Sequence, residues 1–247
     1  MLKNHHRYWE IDLLRGIAII VMIIYHIAYD LYFLKIYNFD IHTIHFKITV
    51  YTFASLFLLL VGLSLTLSYN RNKTDLTKNQ LIKKFVLRGI KIFFLGLIIT
   101  FITFLYLAEG FVIFGVLHCI GLSIILSIPF IRFSFLNLFF GAILIILGVF
   151  LRFMTFNFNW LLWLGFTPSG FYTVDYFPIL PWFGVILIGI AVGNIFYPNY
   201  KRTFSLPDLS KLKIVRFLDF LGKNSLIIYF LHQPILIILI QLFSILI

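Results

Sequence analysis

Long runs of apolar residues recur along the whole chain, and each is about the length that a helix needs to cross a lipid bilayer. A hydrocarbon core of ~30 Å requires roughly 20 apolar residues in an α-helix. Hydrophobic residues make up 62% of the 247 residues, and only 12% are charged, whereas a soluble domain is about 45–50% apolar and about 25% charged. One core cannot hide that excess. The composition therefore excludes a soluble enzyme, a disordered chain and a nucleic-acid-binding domain, and predicts an all-α transmembrane bundle.

The apolar runs predict seven spans in a single membrane domain over residues 1–247. The predicted spans are Ile11–Leu34, Thr49–Ser68, Gly89–Leu107, Phe111–Phe130, Phe133–Leu151, Phe177–Phe196 and Leu221 to near the C-terminus. We expect no signal peptide, because the apolar run that follows the basic N-terminus is long and carries charges. The single cysteine, Cys119, excludes an intramolecular disulfide and a cysteine-based metal site.

Lysine and arginine are concentrated on one side of the predicted spans. The N-terminal segment and the loops Tyr69–Arg88 and Tyr197–Phe220 hold most of them, and the opposite side has only Lys35, Lys47 and Arg152. Cytoplasmic loops of membrane proteins collect Lys and Arg. The pattern therefore predicts a cytoplasmic N-terminus and an external C-terminus, and it accounts for the net charge of +11 without a nucleic-acid partner.

The first span carries four ionisable residues: Asp12, Arg15, His26 and Asp30. Arg15 and His26 differ by about 20° around a helix and about 16 Å along it, and the two aspartates fall within roughly 60° of them. Ionisable groups inside a bilayer are expensive, so this stripe predicts a polar wall that crosses the membrane. A structural alternative stays open, in which Asp12 pairs with Arg15 at the helix end and neighbouring helices satisfy His26 and Asp30.

The spacing of His26 and Asp30 is typical of a general base and its orienting group. Residues four apart are neighbours on a helix, and a carboxylate can orient an imidazole and raise its basicity. Other spans carry polar residues that are candidates for substrate contact or for hydrogen-bonded packing between helices. They are His118 in the fourth span, Asp175 at the start of the sixth, and Ser225, Tyr229 and His232, which share one face of the seventh.

Five ordered blocks of the sequence resemble one family over nearly the whole chain. The blocks are Ile11–Ala18 with His26 and Asp30, Phe53–Ser64, Phe114–Gly121, Asp175–Trp182 and Leu221–Pro234. They are similar to the prokaryotic group related to the catalytic domain of heparan-α-glucosaminide N-acetyltransferase. The spacing of Arg15 and His26 also resembles the first helix of a second group of acyltransferases, which modify cell-surface polysaccharides.

The resemblance implies a transmembrane acyltransferase in the plasma membrane of a prokaryotic cell. Such an enzyme takes acetyl-CoA or another acyl-CoA from the cytoplasm and passes the acyl group to an amine or hydroxyl of a glycan or amino sugar outside. The expected partners are acyl-CoA, membrane lipid and this acceptor, with no metal and no nucleic acid, and a homodimer is compatible. The alternative is a proton-coupled transporter or flippase, although the sequence shows no internal repeat of the kind that alternating access uses.

The expected roles of the polar residues follow from this chemistry. His26, oriented by Asp30, accepts the proton of the attacking acceptor, and His118 completes the catalytic group. Asp175, Ser225, Tyr229 and His232 contact the acceptor. A basic mouth holds the nucleotide end of CoA, and it consists of Arg15, Lys83, Lys84, Arg88 and Lys91. Two histidines of the first outer loop, His42 and His45, compete with His26 for the role of base.

Overall fold

The computed structural model describes residues 7–37, 40–41, 43–107 and 109–246. Apart from one isolated bridge between Phe114 and Tyr176, the regular structure of these residues is helical, which confirms the all-α class. The helices are α1 (Trp9–Phe33), α2 (Ile44–Asn72), α3 (Lys78–Tyr106), α4 (Val116–Leu126), α5 (Phe135–Leu151), α6 (Ile179–Phe196), α7 (Lys213–Lys223) and α8 (Ser225–Leu246). The basic segment 1–6 and His42 lie outside the described residues.

Five of the described helices are long and apolar enough to cross a membrane, namely α1, α2, α3, α6 and α8. Helix α5 has 17 residues, and α4 has only 11, which extend over about 16 Å. The prediction of a continuous fourth span over Phe111–Phe130 is therefore wrong. The start of the seventh span also differs, because α7 ends at Lys223 and a new helix, α8, begins at Ser225.

The predicted cytoplasmic loop Tyr69–Arg88 is mostly helix. Both α2 and α3 have 29 residues, and only residues 73–77 connect them. Helix α3 begins at a capping box, in which the Thr77 hydroxyl accepts from the Gln80 N–H and the Gln80 side chain accepts from the Thr77 N–H at 2.8 Å. Such reciprocal bonds satisfy two free donors of the first turn. The predicted nucleotide-binding residues Lys83, Lys84 and Arg88 therefore lie on a helix, not in a loop.

The chain folds into two compact units, and α2 passes from one to the other. Unit 1 comprises Met1–Phe57 with Leu206–Ile247, and in it α1 packs against α7 and α8. Glycines permit the close approach of α1 and α7. A Cβ at Gly16 would meet the carbonyl of Leu218, and one at Gly222 would meet the carbonyl of Asp12. Glycine at both positions therefore allows the two helix backbones to pack in direct contact.

Unit 2 comprises Leu58–Ser205, and its core is formed by helix pairs. Helix α3 packs against α4, and α5 packs against α6. Both pairs meet through reciprocal glycines. A Cβ at Gly121 would lie 2.8 Å from the carbonyl oxygen of Gly89, and one at Gly184 would lie 2.6 Å from that of Gly141. Small residues at these crossings let the two backbones touch.

Residues 110–115 of unit 2 are not helical, and they run back along the last turns of α3. The Val112 N–H donates to the Thr103 hydroxyl (3.1 Å), so this segment lies beside α3 instead of beyond its end. Two of its carbonyls are satisfied by a segment about sixty residues later, since the Phe177 N–H donates to the Phe114 oxygen (2.9 Å) and the Thr173 hydroxyl to the Phe111 oxygen (2.7 Å). Non-helical backbone is possible here because remote residues supply these hydrogen bonds.

One end of unit 2 gathers the termini of several helices and many cations. The Arg132 Nε after α4 donates to the Tyr69 hydroxyl of α2 (2.6 Å), and the Lys73 ammonium after α2 donates to the Asn199 side chain after α6 (2.7 Å). These contacts place the ends of α2, α4 and α6 together, as the alternation of spans predicts. This is the end for which the Lys and Arg distribution predicts the cytoplasm.

Fusions to both termini test that orientation. A reporter active only in the cytoplasm should give no signal after Ile247 and a strong signal before Met1, because the Lys and Arg distribution favours this insertion. The two fusions are matched controls for each other when their amounts in the membrane are equal. Comparable signals from both would contradict the predicted orientation.

Candidate active site

The polar stripe of α1 faces the protein. Asp12 and Asp30 are 3% and 4% exposed, whereas Ile24 is 60% exposed. Arg15 and His26 are half-buried. The predicted segregation of polar and apolar residues around this helix is therefore present in the structure. The stripe divides into two clusters with different partners.

The cluster near the start of α1 is an ion-pair network. The Arg15 Nη1 donates to Asp12 Oδ1 at 2.6 Å, and the Arg7 Nε lies 3.2 Å from Asp12 Oδ2. The same Arg15 nitrogen contacts the carbonyl oxygen of Gly222 in α7 at 3.3 Å. Two guanidinium groups thus neutralise one buried carboxylate, and Arg15 ties α1 to α7. This is the structural alternative that the sequence left open for Asp12 and Arg15.

Asp30 is held by a residue that the sequence did not single out. The Gln233 side-chain nitrogen in α8 donates to Asp30 Oδ1 at 2.7 Å. No hydrogen bond joins His26 to Asp30 in the described part of the chain, so their four-residue spacing does not produce the predicted contact. A glutamine inside an otherwise apolar helix was the available signal, because amides at such positions hydrogen-bond between helices.

His26 packs against His232 of α8. Their ring centroids are 4.7 Å apart with planes at 60°. The Nδ1 of His232 lies 2.6 Å from the carbonyl oxygen of Tyr229. A carbonyl oxygen only accepts, so Nδ1 carries the hydrogen and, in the neutral ring, Nε2 holds the lone pair.

Four buried polar atoms of this second cluster lack a hydrogen-bond partner among the described residues. They are His26 Nδ1, Asp30 Oδ2, His232 Nε2 and Gln233 Oε1. An unsatisfied buried group costs about 1–3 kcal/mol, and native proteins tolerate few of them outside functional sites. We call these four residues the His26 cluster.

The other two predicted site residues of α8, Ser225 and Tyr229, lie at different distances from His232. Ser225 is buried at the first position of the helix, seven residues or about 10 Å along the axis from His232. The Tyr229 ring centroid lies 5.3 Å from that of His232, and the backbone of Tyr229 accepts the hydrogen of this histidine. The structure therefore brings Tyr229, but not Ser225, to the His26 cluster.

His118 in unit 2 has hydrogen-bond partners for both ring nitrogens. The Gly115 N–H donates to Nδ1 at 3.2 Å, so in the neutral ring Nε2 carries the hydrogen, and it lies 3.4 Å from the Thr100 hydroxyl. The ring is 2% exposed and packs on Gly96, where a Cβ would lie 2.9 Å from Nδ1. These contacts hold the first turn of α4 against α3.

The side chain of Asp175 contacts the start of α4, although its place in the sequence suggested a role at the start of α6. Its Oδ2 accepts from the Val116 N–H at 3.2 Å, which satisfies one of the free donors of a helix N-terminus and complements the helix dipole. The next residue, Tyr176, donates to the Leu162 carbonyl at 2.7 Å, and burial raises the pKa of its phenol. Asp175 is thus part of an anchored segment.

The predicted nucleotide-binding cations of unit 2 form an exposed basic face on α3. Lys84, Arg88 and Lys91 follow i, i+4 and i+7 spacing and share this face, with Lys83 beside them. Lys84 also donates to the Asn72 side chain at 2.7 Å. Of the competing outer-loop histidines, His45 is exposed in the first turn of α2.

The apolar helices and the ionisable groups within them define an integral membrane protein of the polytopic helical class. The family model described as heparan-alpha-glucosaminide N-acetyltransferase, catalytic, matches residues 7–234. The chain belongs to this family of membrane acetyltransferases, which confirms the resemblance to the heparan-α-glucosaminide N-acetyltransferase catalytic domain. No curated protein and no solved structure shows significant similarity to the chain.

Proposed function

We propose that the protein transfers an acyl group, in the simplest case acetyl, from cytoplasmic acyl-CoA to an amine or hydroxyl of a sugar on the other side of a prokaryotic plasma membrane. The observation that carries this proposal is the pairing of His26 with His232. In a chain of an acetyltransferase family, this pair supplies two imidazole nitrogens, inside apolar helices, that have no hydrogen-bond partner among the described residues. Imidazole is the side chain best suited to exchange protons near neutral pH.

His26 is the proposed general base. An amine or hydroxyl attacks the thioester carbonyl only as its proton is removed, and a neutral imidazole can accept that proton. His26 is half-buried, and its Nδ1 has no hydrogen-bond partner in the described part of the chain. His118 is less suited to this role, because both of its ring nitrogens already have partners. We therefore place proton transfer at His26 and assign His118 and Asp175 to holding α4.

The exposed basic face of α3 is the proposed recruitment site for CoA. The nucleotide end of CoA carries several phosphate charges, and clustered Lys and Arg bind phosphate by charge and hydrogen bonds. Lys83, Lys84, Arg88 and Lys91 are exposed on α3. Arg15 has a different main role, since Asp12 and the Gly222 carbonyl already engage it.

Replacing Lys83, Lys84 and Arg88 together with glutamine should weaken acyl-CoA binding about tenfold. Exposed charge contacts contribute about 0.2–1 kcal/mol each, and 1.4 kcal/mol corresponds to a factor of ten. Binding of the native protein should also fall as salt is added. Titration of the detergent-solubilised protein with acetyl-CoA measures both effects.

The matched control removes three cations elsewhere, by changing Lys201, Arg202 and Lys211 to glutamine. The control carries the same loss of charge, so equal weakening in both triple variants would show a general charge effect. Unchanged affinity in the α3 variant would place the nucleotide site elsewhere.

Release of free CoA tests the function itself. Purified protein incubated with acetyl-CoA and a mixture of amino sugars and cell-surface glycans should release thiol, and the acceptor should gain the mass of an acetyl group. A proton-coupled transporter or flippase would release none. Hydrolysis without acetylated acceptor would contradict transfer to a sugar. Omitting each substrate in turn provides the controls.

A further inference from the structure

We propose that His232, and not Asp30, positions the ring of His26. When His26 accepts the proton of the attacking acceptor, His232 takes up the proton that His26 already carries. This inference rests on the proposed acyl transfer. The sequence predicted that the carboxylate of Asp30, four residues away on the same helix, orients His26. The structure instead brings a second imidazole to His26, with ring centroids 4.7 Å apart.

The hydrogen bonds of His232 prepare it for this role. Its Nδ1 donates to the Tyr229 carbonyl, which fixes the tautomer and leaves the lone pair on Nε2. That atom is buried, and no described residue bonds to it; the same holds for His26 Nδ1. A short ring rotation or one bridging water would therefore join these two atoms, for which the described residues offer no other hydrogen-bond partner.

The hydrogen bond between Asp30 and Gln233 has a structural role. Adjacent residues on a helix point about 100° apart, so α8 presents His232 to His26 and Gln233 to Asp30. The bond from Gln233 to Asp30 Oδ1 links α8 to α1 one turn along from the histidines. It holds the two helices in register, which keeps the imidazoles together.

Acyl transfer replaces the carbon–sulfur bond of the thioester with a bond to the acceptor. The acceptor nitrogen or oxygen forms a bond to the thioester carbonyl carbon, and the carbon–sulfur bond breaks to release the CoA thiolate. The proton of the acceptor passes to His26 Nε2 while the Nδ1 proton of His26 passes to His232 Nε2. Both proton transfers then reverse. His232 Nε2 returns its proton to His26 Nδ1, and His26 Nε2 gives the proton of the acceptor to the CoA thiolate. No oxidant, reductant or metal is needed.

Kinetics of variants at position 232 test this role. His232→Ala should lower kcat roughly 10²-fold, at the lower end of what acid–base groups contribute, with the KM for acetyl-CoA nearly unchanged. Added imidazole should restore part of kcat, because it supplies the missing proton acceptor. His232→Gln keeps an acceptor atom near the Nε2 position but cannot take a proton, so kcat should still fall at least about tenfold.

Gln233→Ala is the matched control, since it also removes a polar group from α8 in contact with α1. Its loss should not be rescued by imidazole. Native turnover in both His232 variants would overturn the inference while leaving acyl transfer established. Equal loss in all three variants without rescue would show that His232 only supports packing, which also overturns it. If His232→Ala does not fold, the kcat of His232→Gln is the test. A loss of about tenfold or more supports the inference, and a native kcat overturns it. If the native protein releases no CoA, the proposed function fails, and the role of His232 fails with it.

Discussion

Replacing His26 with alanine is expected to lower acyl transfer by about 10²–10⁴-fold, which corresponds to roughly 3–5 kcal/mol of transition-state stabilisation. The physical reason is the loss of the base, because alanine has no group that accepts the proton of the attacking amine or hydroxyl. Binding of acetyl-CoA should remain nearly native. Turnover and binding of the purified variant are measured side by side.

Three further variants complete this experiment. Asp30→Asn keeps a hydrogen-bond acceptor for Gln233, and its effect on turnover should be smaller than that of His26→Ala. His42→Ala and His45→Ala test the two competitors from the first outer loop. Near-normal turnover in His26→Ala, together with loss of activity in either of the last two variants, would move the base to that histidine.

Replacing Gly184 with valine is expected to destabilise unit 2 strongly. A Cβ at Gly184 would lie 2.6 Å from the carbonyl oxygen of Gly141 and 2.9 Å from the Ile145 side chain. Overpacking typically costs about 1–3 kcal/mol, and a helix carbonyl cannot rotate away, so we expect a loss of about 3 kcal/mol. For a protein of this length that loss lowers the unfolding midpoint by roughly 6–12 °C.

Thermal unfolding in detergent, followed by the loss of the monodisperse peak, measures this shift. Ala142→Val is the matched control, because Ala142 neighbours Gly141 on α5 but is exposed. The control should keep a native midpoint. Equal midpoints for Gly184→Val and the native protein would show that α5 and α6 do not pack as tightly as described.

Length and hydropathy were sufficient to predict helices that are apolar from end to end. The predicted first span, Ile11–Leu34, differs from α1 (Trp9–Phe33) by one or two residues at each end. Length and hydropathy were not sufficient for the fourth span, because residues 111–115 are apolar but not helical. The hydropathy of a segment indicates its environment. It does not indicate whether residues distant in sequence form hydrogen bonds with its backbone.

The site shows the same division between local and remote information. Helical periodicity placed Asp12, Arg15, His26 and Asp30 on one inward face, as the structure confirms. The partners of that face are far away in sequence, since Gln233 follows Asp30 by 203 positions. Spacing on one helix suggested the wrong hydrogen bond for Asp30, because an i,i+4 neighbour is always available as a candidate whether or not the rotamers meet.

The half-length helix α4 has a consequence for the order in which the chain matures during synthesis. A full apolar helix satisfies its own backbone and can enter the bilayer as soon as it leaves the ribosome. Residues 110–115 do not, because the groups that bond to the carbonyls of Gly110, Phe111 and Phe114 belong to residues 173–177. We therefore expect these three carbonyls to lack their protein partners until α5 and the start of α6 have been made. The contacts between the family blocks at 114–121 and 175–182 should therefore form only about sixty residues after the first block is translated.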